Sequence, residues 1–133
     1  MGFMPDLETE APMLGTSAAI GGGWALPLTA RCIALARKRV GRDFPLLATN
    51  GARSGLDVAR FLLSGAVATE LTSLVLMRGY DALRECIAEL DAYLDRRGKA
   101  ARDLIGVSAD RLQSYAEQAD RPDYWRNFAP PVA

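Results

Sequence analysis

Two short apolar segments, Leu46–Thr49 and Ala66–Leu71, flank a helical stretch, and this arrangement constrains the fold more than any other part of the chain. A connection of about a dozen residues is too long for a hairpin turn, so the strands it joins run parallel through a right-handed crossover. The connection reads NGARSGLDVARFLLSG. Ser54 opens its helix, and Asp57, three residues on, completes an approximate capping box. Val58, Phe61 and Leu62 give the helix a narrow apolar face, and Ser64-Gly65 ends it. Polar loops are left at Asn50-Gly51 and at Thr72-Ser73. Each follows the C-terminal end of a strand, where parallel α/β folds place their ligands, so Pro45 to Tyr80 reads as a βαβ unit holding a phosphate.

The elements on either side are weaker signals. Phe3–Met4 and Pro12–Leu14 read as two extended arms around a polar turn at Glu8–Glu10, a hairpin that Pro5 and Pro12 keep out of a helix and at a sheet edge. The small-residue loop Gly15–Gly23 ends in three glycines. It serves equally as a connector or as a place for backbone to approach a ligand closely. A helix starting just after it, with its first N–H groups facing the loop, favours the second use. That helix spans Ala25 to Val40, with Leu28, Cys32, Leu35 and Ala36 as its expected buried stripe. Arg37, Lys38 and Arg39 fall in its last turn, where a solvated cap is expected, and Gly41 stops it.

After the second strand come a short apolar segment, Leu74–Met77, and a helix from Ala82 to Arg97 capped by Asp81. Leu83, Ile87, Leu90 and Leu94 form its expected core stripe. Ser108 opens one more expected helix, up to about Ala119. Beyond Pro122, the aromatics Tyr124, Trp125 and Phe128 are expected to dock onto a surface of this domain or of a partner.

Composition removes several classes of function. At 133 residues, half of them apolar, the chain has the makings of one ordinary globular domain. Sixteen basic and sixteen acidic residues cancel, leaving no electrostatic footprint for nucleic acid or an anionic membrane. No apolar run is long enough for a membrane span, and MGFMPDLETE has neither the basic nor the apolar region of a signal peptide, so a cytoplasmic location is expected. Cys32 and Cys86 read as reduced, buried thiols on helices. The chain has no histidine. Ser-His-Asp and Cys-His nucleophile activation are therefore excluded, along with the commonest transition-metal ligand, and no metal site is expected.

From about Asp6 to Gly98 the ordered series DLETEAPMLG, IGGGWALPLT, PLLATNGARSGLDVARFLLSGA, ATELTSLVLMRG and AYLDRRG resembles the C-terminal part of the dihydroorotate dehydrogenase family. That family includes the flavin domain of dihydropyrimidine dehydrogenases. The resemblance implies an α/β fold that is the C-terminal portion of a (β/α)8 (TIM) barrel, from the hairpin after strand six to the equivalent of helix eight. On this reading residues 1–98 form the barrel portion and 99–133 a helical and aromatic extension. The resemblance also implies FMN as cofactor, its phosphate gripped by Gly21 and Gly22, by Asn50 and Gly51, and by Thr72 and Ser73.

Two of these positions depart from the family pattern. Its paired glycines appear here as Asn50-Gly51, and its Gly-Thr appears as Thr72-Ser73. Asn tolerates left-handed backbone, whereas the β-branched Thr72 resists positive φ. The family's catalytic base, active-site lysine and substrate-binding asparagines have no counterpart in these motifs, so no catalytic residue is assigned. Two parallel strands cannot close a barrel. A complementary barrel chain, or self-association into an oligomer, is therefore expected to cover their edges. The resemblance implies a flavin oxidoreductase acting on a CH–CH bond of a pyrimidine-like ring. The alternative is a non-catalytic structural or regulatory subunit with a vestigial phosphate site.

Overall fold

Strands β1 (Leu46–Thr49) and β2 (Ala66–Glu70) pair in parallel, as the length of the crossover requires. The computed structural model describes residues 4–13 and 20–118. Helix α1 (Leu26–Val40) precedes β1, and α2 (Gly55–Leu63) forms the crossover. Helices α3 (Thr72–Arg78) and α4 (Asp81–Arg97) follow β2, and the described residues beyond α4 hold three short 3-10 turns. The protein is an α/β structure built on a two-stranded parallel sheet.

The sheet has one covered face and one bare face. Ala48 and Ala66 are fully buried with Phe61 of α2, and Leu26, Ala30 and Ile33 of α1 pack against them. Small side chains on the strands let both helices approach the sheet closely. The register shifts between Leu46 and Leu47, so that Leu47 pairs with Ala68 and Ala48 with Thr69. This irregularity keeps Ala66 and Thr69 on the helix side and leaves Val67 and Ala68 exposed beside Leu47. Leu47 is 65% exposed. Parallel sheets are ordinarily covered on both faces, so this bare face is unusual.

Helix α1 does not bury the stripe expected of it. Leu28 and Leu35 are 57% and 43% exposed and Cys32 is exposed, while the helix turns Ala34 and Arg37 inward. Its apolar residues cover more of the circumference than the sheet does, and the spacing alone does not say which arc the strands occupy. Arg37 is likewise not a solvated cap. It is 8% exposed, and its guanidinium donates to Asp110 and to the Arg42 carbonyl. Gly65 and Gly106, both with positive φ, make room for its side chain, and a Cβ on either would collide with it. Lys38 and Arg39 remain exposed, as expected.

Helix α4 is rotated from the expected register. Ala82, Cys86 and Leu94 are buried, whereas Ile87 is 60% exposed. The close contact with α2 sets this rotation. Gly55 lies against the Cys86 carbonyl, and its N–H donates to Glu89 Oε2 at 2.8 Å. Burial raises the Cys86 thiol above its ordinary pKa. Asp81 begins α4 without capping it and pairs instead with Arg84.

Two further expectations are corrected. Leu71 leaves the strand to precede α3, so Thr72 and Ser73 form a first helical turn and not a polar loop. The helix expected from Ser108 is absent among the described residues, which hold 3-10 turns at Ala109–Arg111 and Tyr115–Glu117. The amides of Gly106 and Ser108 bond to the Leu62 and Leu63 carbonyls at the end of α2, so this segment follows α2 and Leu104 fills the space between α2 and α4. The hairpin near the start is present as a single antiparallel bridge between Pro5 and Pro12. Phe3, Leu14, most of the small-residue loop and the aromatics Tyr124, Trp125 and Phe128 lie outside the described residues. No helix among the described residues is long and apolar enough to cross a membrane.

The Arg37–Asp110 pair ties α1 to the segment after α4 and should make stability depend on pH. The hydrogen bond from Arg37 holds the Asp110 carboxyl below its usual range. A lowered folded pKa contributes stability above the unfolded value of about 3.9, and the contribution is lost as pH falls through the folded value. Asp110→Asn should therefore lower the Tm at neutral pH, and its deficit against the unaltered chain should close below about pH 4. Thermal melts across that range check this.

Candidate functional site

The C-terminal ends of β1 and β2 open onto two adjoining cavities. The larger, about 640 Å³, is lined by Gly21, Asn50, Gly51, Glu70, Thr72 and Ser73, among others. The smaller, about 440 Å³, has Gly22, Gly51, Arg53, Ser54, Ser73 and Arg78 in its wall. The six positions singled out from the sequence thus come together at one end of the sheet.

Asn50 joins the first two regions. Its φ is 74°, a left-handed conformation that asparagine accepts more readily than most residues. Its side-chain amide donates to the Ile20 carbonyl at 3.0 Å, and its Oδ1 accepts the Gly22 N–H at 3.3 Å. A glycine in its place would have the same backbone freedom and none of these bonds. Gly51 follows with φ 108°, and a Cβ there would lie 2.5 Å from the Leu26 amide nitrogen. The Asn-Gly pair is thus pressed onto the start of α1, and the Gly21-Gly22 loop is tied to it.

Thr72 and Ser73 reach the site from α3. Their backbone is right-handed helix, so the positive φ that Thr72 would resist is not demanded of it. The Thr72 hydroxyl donates to Glu70 Oε1 at 2.8 Å. The Ser73 hydroxyl points toward Gly21, where a Cβ would sit 3.9 Å from it.

The donors at this end of the sheet suit an anion. No side chain caps the N-terminus of α1, of the 3-10 turn Gly23–Ala25 before it, or of α3. The 3-10 turn runs straight into α1, whose Leu26 N–H bonds to the Gly23 carbonyl, so the amides without intrahelical acceptors, at the positive end of the peptide dipoles, are those that open the turn and α3. Helix α2 differs. Ser54 Oγ accepts from the Asp57 amide, and Glu89 takes the Gly55 N–H. Both Asp57 oxygens are engaged as well, one by the Arg53 amide and the other by the Arg60 guanidinium. Glu70 makes the larger cavity the more negative of the two, so the smaller one is the better place for a dianion.

Arg53, which no sequence motif marks, also stands in the wall of the smaller cavity, against the third glycine of the triplet. The Arg53 guanidinium lies across Gly23, where a Cβ would be 2.5 Å from Cζ. A single arginine between an Asn-Gly turn and a helix cap gives no periodic or motif signal. Only the third glycine of the triplet hinted that something had to pass close to it.

Fold and site together define a parallel α/β protein with two adjoining glycine-lined cavities at the C-terminal edge of its strands. No protein-family model matches the chain. The catalytic subunit of dihydroorotate dehydrogenase B (NAD(+)) from Methanothermobacter thermautotrophicus is 28% identical over 113 residues, 82% of this chain and 36% of that protein. The NAD-dependent dihydropyrimidine dehydrogenase subunit PreA of Escherichia coli K12 is 30% identical over 81 residues, 60% of this chain and 20% of that subunit. The crystal structure of a dihydroorotate dehydrogenase from Eimeria tenella in complex with ferulenol superposes on 84% of this chain and 30% of that one, with a TM-score of 0.66 and 21% identity. The chain is therefore similar to the dihydroorotate and dihydropyrimidine dehydrogenases over most of its length, as its ordered motifs imply. It spans only part of these relatives' length, from 20% of the dihydropyrimidine dehydrogenase subunit to 36% and 37% of two dihydroorotate dehydrogenase B catalytic subunits.

Asn50 should be replaceable only at a cost that separates its two roles. Asn50→Gly keeps the backbone and loses the side-chain bonds, for about 1 kcal/mol. Asn50→Ala should also incur the left-handed strain, for a total of about 2–3 kcal/mol. Urea unfolding of the two variants measures both.

Proposed function

We propose that the chain is the FMN-phosphate-binding, C-terminal portion of a dihydroorotate dehydrogenase-like flavin oxidoreductase. The observation that carries this reading is the meeting of Gly21-Gly22, Asn50-Gly51 and Thr72-Ser73 at the C-terminal end of two parallel strands. The uncapped helix starts around them suit a phosphate dianion. Bound there, the flavin would supply the hydride chemistry on a CH–CH bond of a pyrimidine-like ring. This chain's residues would hold and orient the phosphate tail.

The remaining strands of the (β/α)8 barrel would come from a complementary chain or from further copies of this one. The bare sheet face around Leu47 and the exposed Trp24, Leu28 and Cys32 support such a partner, because an apolar surface of this kind is normally covered. Residues 1–98 would form the barrel portion and 99–133 the extension, in a cytoplasmic assembly.

One observation favours a second reading, a non-catalytic subunit that keeps the phosphate site. Of the two carboxylates lining the cavities, Asp57 has both oxygens in hydrogen bonds and Glu70 has one, which leaves a single uncommitted carboxylate oxygen for acid–base chemistry. FMN binding is common to both readings. Turnover of a dihydropyrimidine by the assembled complex distinguishes them.

Titrating the chain with FMN, with flavin fluorescence as the readout, tests the cofactor. Saturable binding that riboflavin, which lacks the phosphate, does not match is the expected result. If FMN binds no better than riboflavin, the phosphate reading fails. Thr72→Gly should not raise FMN affinity, because Thr72 already sits in unstrained helix.

A further inference from the structure

Backbone amides alone would make the proposed phosphate site indifferent to which residues surround the glycines. One cation breaks that indifference. Arg53 leaves the loop after Asn50-Gly51 and lays its guanidinium over Gly23, in the wall of the cavity that Gly22, Gly51 and Ser73 share. The ion pairs among the described residues engage Arg37, Lys38, Arg42, Arg60, Arg78 and Arg84, but not Arg53. The other arginine of that wall, Arg78, is held by Glu85. Arg53's own amide is anchored to Asp57 Oδ2 at 2.9 Å, which fixes the root of the side chain.

Gly23 sets the course of the side chain. A Cβ there would come within 2.6 Å of Cζ, Nε and Nη2 of Arg53, so any other residue would displace the guanidinium. The third glycine of the triplet thus serves an arginine and not the ligand directly.

We propose that Arg53 is the side-chain anchor of the site, donating to a phosphate monoester dianion, and that Gly23 positions it. This rests on the phosphate-binding reading above and adds to it a charged, geometry-dependent contact. The planar guanidinium can give two parallel N–H bonds to phosphate oxygens, which a lysine cannot reproduce.

The test uses the full chain with FMN, riboflavin and inorganic phosphate as probes, followed by flavin fluorescence and phosphorus NMR. Arg53→Gln should weaken FMN roughly ten- to a hundredfold, the range expected for a lost bond between charged groups, and leave riboflavin unchanged. Arg53→Lys should recover only part of the loss. Gly23→Ala should weaken FMN in the unaltered chain but add little in the Arg53→Gln background, since both changes act through one guanidinium. Circular dichroism confirms that each variant is folded. Equal FMN affinity in the unaltered chain and Arg53→Gln overturns the anchor and leaves the flavin reading standing. Arg53-dependent binding of inorganic phosphate, with FMN no tighter, upholds the anchor and overturns the flavin reading. If neither ligand binds, both fail.

Discussion

The candidate site exists because two strands are held parallel with their C-terminal ends together. A turn cannot enforce that arrangement. Here α2 does, by carrying the chain back along the helix face of the sheet and burying Phe61 against Ala48 and Ala66. The same geometry places the starts of α1 and α3 beside the two strand ends. Each loop residue at the site therefore depends on packing some distance from it. The cost of the arrangement is visible on the opposite face, where Leu47 and Val67 lie open.

The parallel pair, the capped crossover helix and the break after the first strand were legible in the sequence because each has a short-range signature. These are an apolar run between polar breaks, Ser54 with Asp57, and an Asn-Gly pair. The grouping of Gly21-Gly22, Asn50-Gly51 and Thr72-Ser73 was implied only by the family resemblance. Which faces of α1 and α4 turn inward was not legible. Leu28 and Leu35 follow helical periodicity as well as Ile33 does, and only the position of the sheet selects between them. On α4 the deciding contact is Gly55 against Cys86, a pairing of residues from different helices that no local pattern announces. The segment after α4 misled for a related reason. Its amides answer to the carbonyls at the end of α2, an attachment distant in sequence, and so they do not build a helix of their own.

Charge shows the same division between what is local and what is not. Arg37, Lys38 and Arg39 look alike as a helix-end cluster, yet Arg37 is enclosed between two glycines and paired with Asp110. Arg53, a lone cation in a loop, lies in the wall of the smaller cavity. Net charge is zero and reveals neither. The environment of each guanidinium, not the number of them, separates the structural role of Arg37 from the binding role proposed for Arg53.

The loop that carries Gly51, Arg53 and Ser54 is fastened from behind. Ser54 and Asp57 close on each other, Asp57 holds the Arg53 amide, and Glu89 of α4 takes the Gly55 N–H. These bonds tie the loop to α2 and α4, and Ser54 and Asp57, which make them, also stand in the wall of the smaller cavity. An arriving anion would therefore meet a loop whose conformational freedom was already lost on folding. Its ordering penalty belongs to the stability of the domain, and affinity at the site would not have to offset it again.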